Sequence, residues 1–252
     1  MAKNYTRRDV LTMALLGPAA LSARPLLGVS PTLAPPPVAS EGVAYYRQGE
    51  ARYEALRKGF NKRIEKFPQV IAYCTSPRGV SAAVQHAGAT QLPVAIKSGG
   101  HCMEGFSCND GGLVINLSGL NQAAWGQGET LVTGPGATLA KLYEVLLPKG
   151  RIIPGGSCAG VGIGGLTLGG GYGVLGRQFG LTCDSLQAVT MVDGKGNIIS
   201  STHDPELLWA CRGGGNGNFG VITAMQFKTH PAPATLQSYR FRAFRVNTTR
   251  AR

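Results

Sequence analysis

Acidic residues are scarce in this chain of 252 residues: 13 Asp and Glu stand against 25 Lys and Arg, a formal net charge of +12. Aromatic residues are scarce too, at 7%, and they seldom interleave with the basic ones. Positive charge without stacking side chains is a poor instrument for gripping nucleic acid. The distribution of charge argues the same way. Residues 67–227 hold eight basic and eight acidic residues, so the long central stretch is neutral. The excess lies in the first 66 residues and in a tail where Lys228, Arg240, Arg242, Arg245, Arg250 and Arg252 face no acid. Basic ends are more often targeting or solvated segments than recognition surfaces, and no nucleic-acid partner is expected. The six cysteines (Cys74, Cys102, Cys108, Cys158, Cys183, Cys211) include no Cys-x-x-Cys pair. That excludes the usual zinc spacing, and no metal site is expected; the spacing nominates no disulfide pair either. No apolar run is long enough to read as a membrane span, so stable membrane insertion is not expected. The sequence has no internal repeat.

Glycine, by contrast, is plentiful, with 37 residues, and it is concentrated. Lys97-Ser98-Gly99-Gly100-His101 follows Leu92-Pro93-Val94-Ala95-Ile96, a short apolar run that reads as a buried strand. Some sixty residues on comes Gly156-Ser157-Cys158-Ala159-Gly160-Val161-Gly162-Ile163-Gly164-Gly165, with Gly169, Gly170, Gly171 and Gly173 close behind. Glycine has no Cβ and tolerates positive φ, so backbone amides can converge on an anion. Convergent amides form a nest of fixed positive partial charge suited to a pyrophosphate. The first loop also carries one imidazole, His101, and the second one thiol, Cys158. These are the nucleophiles that a covalently tethered cofactor requires. Gly160 to Gly165 also matches G-x-G-x-x-G, with Asp184 about twenty residues on. A Rossmann site needs a strand directly before the motif and a helix opening from it. Here Pro154 interrupts the approach and more glycine follows, so that reading is set aside.

Three motifs in this order carry a resemblance: Ser-Gly-Gly-His at 98–101, the glycine-rich run from Gly156 to Gly173, and Gly217-Asn218-Phe219-Gly220-Val221-Ile222-Thr223. Residues 67–232 resemble the FAD-binding domain of the berberine bridge enzyme-like oxidases, within the vanillyl-alcohol-oxidase type of flavoproteins. The resemblance implies an α+β fold, a two-subdomain PCMH-type domain with the flavin between the subdomains. It implies a bicovalent FAD: the matching histidine, His101, bonds the flavin 8α-methyl group, and the matching cysteine, Cys158, bonds ring carbon C6. Ser98, Gly99, Gly100, Val161, Gly162, Gly164, Gly165, Gly171, Gly173, Val221 and Ile222 are the further expected cofactor contacts. The implied reaction is oxidation of a small-molecule sugar or alcohol by hydride transfer to flavin N5, with dioxygen or another acceptor taking the electrons. Relatives of this type continue into a substrate domain over the flavin ring. Residues 233–252 are expected to be only its beginning. No catalytic base is named, because in the family it comes from that further domain. The competing expectation is a truncated or partner-dependent flavin-binding module without turnover of its own.

Thr6-Arg7-Arg8-Asp9-Val10-Leu11, followed by a modest apolar stretch to Leu16, resembles a twin-arginine export signal. Residues 1–40 are therefore expected to be that signal and a Pro-rich linker, with a periplasmic or secreted product. Residues 41–66 read as a lead-in of helix and loop. Within the domain, strands are expected at 69–74, 92–96, 112–117, 130–133 and 219–227, a hairpin over 185–200, and helices at 79–89, 139–147 and 206–210.

Overall fold

The computed structural model describes residues 42–235. The twin-arginine signal and the Pro-rich linker lie outside the described residues, as does most of the stretch 233–252. Among the described residues no helix is long and apolar enough to cross a membrane.

The first layer is a four-stranded sheet of β1 (Val43–Tyr46), β2 (Val70–Cys74), β3 (Val94–Lys97) and β4 (Leu113–Asn116), in the order β1-β2-β4-β3. Strands β2 and β3 run parallel to β4 on either side of it, and β1 closes one edge antiparallel to β2. Parallel neighbours need a crossover. Between β2 and β3 it is α2 (Pro77–Thr90). The Ser76 hydroxyl caps its start by accepting from Gly79 N, Pro77 sits in its first turn, and Gln91 ends it in a left-handed conformation. Val80, Ala83 and Ala87 form its buried stripe, spaced as an amphipathic helix requires. A short helix, α1 (Tyr53–Arg57), precedes the sheet's second strand.

The second layer is an antiparallel five-stranded sheet of β5 (Ala123–Trp125), β6 (Thr130–Thr133), β8 (Leu186–Val192), β9 (Ile198–Ser200) and β10 (Val221–Lys228), ordered β5-β6-β10-β8-β9. Helix α3 (Leu139–Leu146) buries Leu139, Leu142 and Leu146 against it. With Leu131, Met225 and Phe227 these form the larger core. A two-stranded ribbon pairs β7 (Arg151–Ile152) with β11 (His230–Pro231). Short helices α4 (Ile163–Leu168) and α5 (Gly176–Phe179) follow β7, and α6 (Pro205–Cys211) precedes β10.

The two layers share material. Val192 and Val221, from the second sheet, pack into the core that α2 makes with the first. The Ser81 hydroxyl on α2 donates to Gly196 O in the turn between β8 and β9. The α+β expectation and the two-subdomain arrangement are therefore met. The lead-in departs from helix and loop, because β1 gains its hydrogen bonds from β2, a partner more than twenty residues away that local pattern cannot reveal. Strands β5 and β7, of three and two residues, offer too little periodicity to read. The glycine-rich run contains α4, a helix that propensity argues against and that burial of Ile163 and Thr167 supports. Strand β7 ends before Pro154 and pairs antiparallel, so no parallel Rossmann unit forms there.

Phe227 is fully buried at the centre of the larger core. Phe227→Ala should lower the free energy of unfolding by about 3–5 kcal/mol, read by chemical denaturation. A loss below about 1 kcal/mol would contradict this placement.

Candidate functional site

Strands β2, β3 and β4 all point their carboxyl ends the same way, and the crevice beyond such ends is where open α/β sheets hold ligands. The segment Ser98–His101 leaves β3 there, just past the last ladder pair, Lys97 with Asn116. Among the described residues none of the four backbone amides from Ser98 to His101 has a hydrogen-bond acceptor. Buried or half-buried amides without partners are uncommon in folded proteins, and four in succession form a ready receptor for an anion.

The second glycine segment lies directly against the first. A Cβ on Gly99 would sit 2.3 Å from Gly162 N, and one on Gly162 would sit 2.4 Å from Gly99 N and from the Ser98 hydroxyl. Only two glycines permit that approach. Pro135 O ties the same point together, accepting from the Ser98 hydroxyl at 2.5 Å and from Gly164 N at 3.0 Å. Gly160 lies beside the His101 imidazole, its Cβ position 3.4 Å from Nε2. Cys158, two residues earlier, is exposed. The imidazole and the thiol thus stand on touching loops. Ala159 O and Val161 O accept from Ala140 N and Leu139 N at the start of α3, so that helix anchors the thiol-bearing loop.

The third segment joins them. Gly215 N donates to Leu168 O at the end of α4, and Gly217 packs on the Ile96 side chain of β3. A groove of about 480 Å³ opens between α2, β3 and the start of β10, lined by Val84, Leu92, Ile96, Val192 and Val221 among others, with Asp193 at its wall.

Of the expected contacts, Ser98, Gly99, Gly100, His101, Cys158, Val161, Gly162 and Gly164 surround one point. Gly165 is half-buried with open space over its Cα. Gly171 and Gly173 pack closely on Thr182 and on the backbone of Gly155. Val221 lines the groove. Ile222 points into the larger core and is 2% exposed, so it has only its backbone to offer a ligand.

Two residues escaped the sequence reading. Phe60 stacks on His101 with ring centroids 4.5 Å apart and planes 17° from parallel. Lys97 is buried beneath the first loop, its ammonium donating to Leu56 O at 2.6 Å and Lys58 O at 2.5 Å. Burial is the main cause that depresses its pKa from 10.5 to about 8. The one signal for Lys97 was a charge ending an apolar run; for Phe60, an aromatic in an otherwise basic stretch.

The FAD binding domain family matches residues 68–202. The uncharacterized FAD-linked oxidoreductase YgaK of Bacillus subtilis is 39% identical over 186 residues, covering 71% of this chain and 41% of the relative. The chitooligosaccharide oxidase of Gibberella zeae is 36% identical over 191 residues, covering 74% of this chain and 39% of the relative. The chain thus spans about two fifths of the length of these curated relatives. Among solved structures, a glucooligosaccharide oxidase from Acremonium strictum, described as carrying a 6-S-cysteinyl, 8α-N1-histidyl FAD, superposes with a TM-score of 0.72 at 30% identity. The alignment covers 76% of this chain and 41% of that one.

The contact between the first two loops should be intolerant of any side chain. Gly162→Ala is expected to lower the melting temperature by several degrees, as clashes of this kind cost about 1–3 kcal/mol; an unchanged melting curve would refute the close approach. Lys97 makes a pH signature. Between about pH 8 and pH 10.5 the unfolded chain retains a proton that the folded chain has released. Stability from this group therefore rises with pH across that window. The neutral amine still has two N–H donors for its two carbonyls. The stability gap between wild type and Lys97→Met should shift in favour of wild type from pH 8 to pH 10.5; a flat gap in paired urea titrations would be inconsistent with a buried ammonium.

Proposed function

The chain belongs to the FAD binding domain family of FAD-linked oxidoreductases, and from that membership we propose that its three glycine loops hold FAD, bonded covalently by His101 and Cys158, to oxidise a sugar or alcohol. The observation that carries this reading is the convergence of the loops: Gly99 against Gly162, His101 beside Gly160, Gly217 against Ile96.

The residues present fit the dinucleotide. The amides of Ser98 to His101 suit a pyrophosphate, since they present positive dipoles with no acceptor to displace among the described residues. The apolar groove lined by Ile96, Val192 and Val221 suits the flat adenine end. His101 and Cys158 stand on the outer side of the same loops, where a ring leaving the pyrophosphate would emerge. When bound, FAD supplies the redox chemistry, taking a hydride equivalent from a carbon that bears a hydroxyl and passing electrons to dioxygen or another acceptor. The work of this chain is to bind, orient and tether. His101 offers an imidazole nitrogen fixed by Phe60, and Cys158 offers an accessible sulfur. Two attachment points hold the ring rigidly and prevent its loss. The glucooligosaccharide oxidase with a doubly bonded flavin supports this pair of roles, and the chitooligosaccharide oxidase supports a carbohydrate substrate.

A second reading, a flavin-holding module that turns over only when a further domain or partner covers the loops, is favoured by the exposure of Phe106, Tyr172 and Val174 on and beside those loops. Exposed apolar side chains flanking a site are what a covering domain or partner would bury.

Chain produced with FAD should stay yellow after acid precipitation, with an intact mass above the polypeptide by one FAD. His101→Ala and Cys158→Ala should each retain flavin through the other bond, and the double variant should release it. A colourless wild-type pellet would overturn covalent attachment, and a double variant that stays yellow would overturn the choice of residues. Bleaching of the bound flavin by members of an anaerobic panel of sugars and alcohols separates the two readings; no bleaching by any of them would favour the module.

A further inference from the structure

Resting on the assignment of His101 as a flavin-bonding residue, we propose that Phe60 is a positioning residue for that bond, and that residues 53–66, which lie ahead of the matched domain, form a clamp that sets the imidazole. Three amides without acceptors precede His101, its own is a fourth, and among the described residues its imidazole makes no hydrogen bond, so nothing in its own loop fixes the ring. The ring is fixed from outside, by the stacked face of Phe60.

Phe60 is itself 54% exposed, so the core does not hold it. Its backbone does. Phe60 N donates to Gly100 O at 2.8 Å, and Gly59 lies so close that a Cβ there would be 2.9 Å from the same oxygen. Just before it, Lys97 Nζ donates to Leu56 O and Lys58 O, and Asn116 Nδ2 donates to Leu56 O at 3.3 Å. Just after it, Asn61 Nδ2 donates to Met103 O at 2.8 Å, beyond His101. Lys97 and Asn116 are the paired last residues of β3 and β4. The ends of the parallel strands thus grip the clamp, and the clamp grips the loop on both sides of the histidine. A lysine buried to hold two carbonyls is an expensive way to stabilise a surface segment. An aromatic ring left half in water adds little stability by burial. Both make sense if the product is one orientation of His101.

Attachment forms one nitrogen–carbon bond to the 8α-methyl carbon and breaks one imidazole N–H and one methyl C–H. The methyl carbon is oxidised by two electrons. These, with the two hydrogens, are taken up by dioxygen as hydrogen peroxide once they have passed through the ring system. Such a step is sensitive to geometry, because small misplacements of a reacting atom cost large factors in rate. Stacking of two rings shifts an orientational population by about two- to twelvefold.

The test uses the full chain carrying Cys158→Ala, so that His101 alone reports, purified from flavin-limited cells and mixed with FAD in air. Intact mass follows attachment over time and FAD concentration. Phe60→Leu, close in volume but unable to stack, should lower the limiting rate about fivefold and leave the half-saturating FAD concentration unchanged. Phe60→Tyr should retain the parent rate. Phe60→Leu attaching as fast as the parent would overturn the proposal, and so would Phe60→Tyr as slow as Phe60→Leu. A parent that never attaches flavin would overturn the His101 assignment first and this proposal with it, a result distinguishable because no Phe60 variant enters it.

Discussion

Two backbones touch where Gly99 meets Gly162, and the rest of the site depends on that contact. One glycine lies two residues past the end of the parallel strand β3 of the first sheet; the other opens α4, which packs against the core of the second. A side chain on either would force the loops apart, since its first carbon would fall within 2.4 Å of the opposite nitrogen. Glycine in these positions costs conformational entropy on folding, roughly 0.5–1 kcal/mol each relative to alanine. The cost is met by the fixed partners around it, above all Pro135 O, which accepts from both loops. Because sheets supply the rigidity, the loops can leave their amides unsatisfied without losing shape.

That economy sets the electrostatics. The central region is neutral, and the loops carry no cluster of cations. Attraction for an anion comes from oriented amide dipoles, with a single buried ammonium, Lys97, below Gly100. Burial, with a smaller contribution from the Lys62 ammonium, pushes that ammonium toward its neutral form near pH 8. A diphosphate seated above it works in the opposite direction, since a nearby negative charge favours the protonated amine. Binding of an anion and protonation of Lys97 are therefore linked, each strengthening the other. Dipoles give a field of fixed direction at no cost in side-chain ordering.

The glycine motifs were legible in the sequence because each is local: the residues that permit a backbone conformation are the residues that adopt it. The same holds for α2, whose cap, proline and buried stripe lie within fifteen positions, and for the hairpin of β8 and β9. What escaped is non-local. Strand β1 exists through its register with β2, Val43 opposite Cys74. Phe60 acquires its role from His101, forty-one positions on, and Lys97 from carbonyls about forty positions back. Ile222 is a mixed case, its backbone at the site and its side chain away from it. The motif around it is glycine-rich and site-like, yet alternation along β10 turns this side chain into the core while Val221 faces the groove.

Thiol chemistry on this chain is sorted by burial. Cys74, Cys108, Cys183 and Cys211 are buried, and desolvation pushes each thiol above its ordinary value, Cys74 to about 12. The thiolate is the nucleophile, so these four behave as small apolar side chains. Cys102 is part-exposed, its thiol donating to the Glu104 carboxylate at 3.4 Å. Cys158 alone is exposed, on a turn closed by Val161 N to its own carbonyl and anchored to α3. With the imidazole one loop away and the other thiols withdrawn, a bound electrophilic ring would meet one nitrogen and one sulfur. Under the proposed attachment, burial thus decides which thiol can react, and Phe60 sets the imidazole that stands beside it.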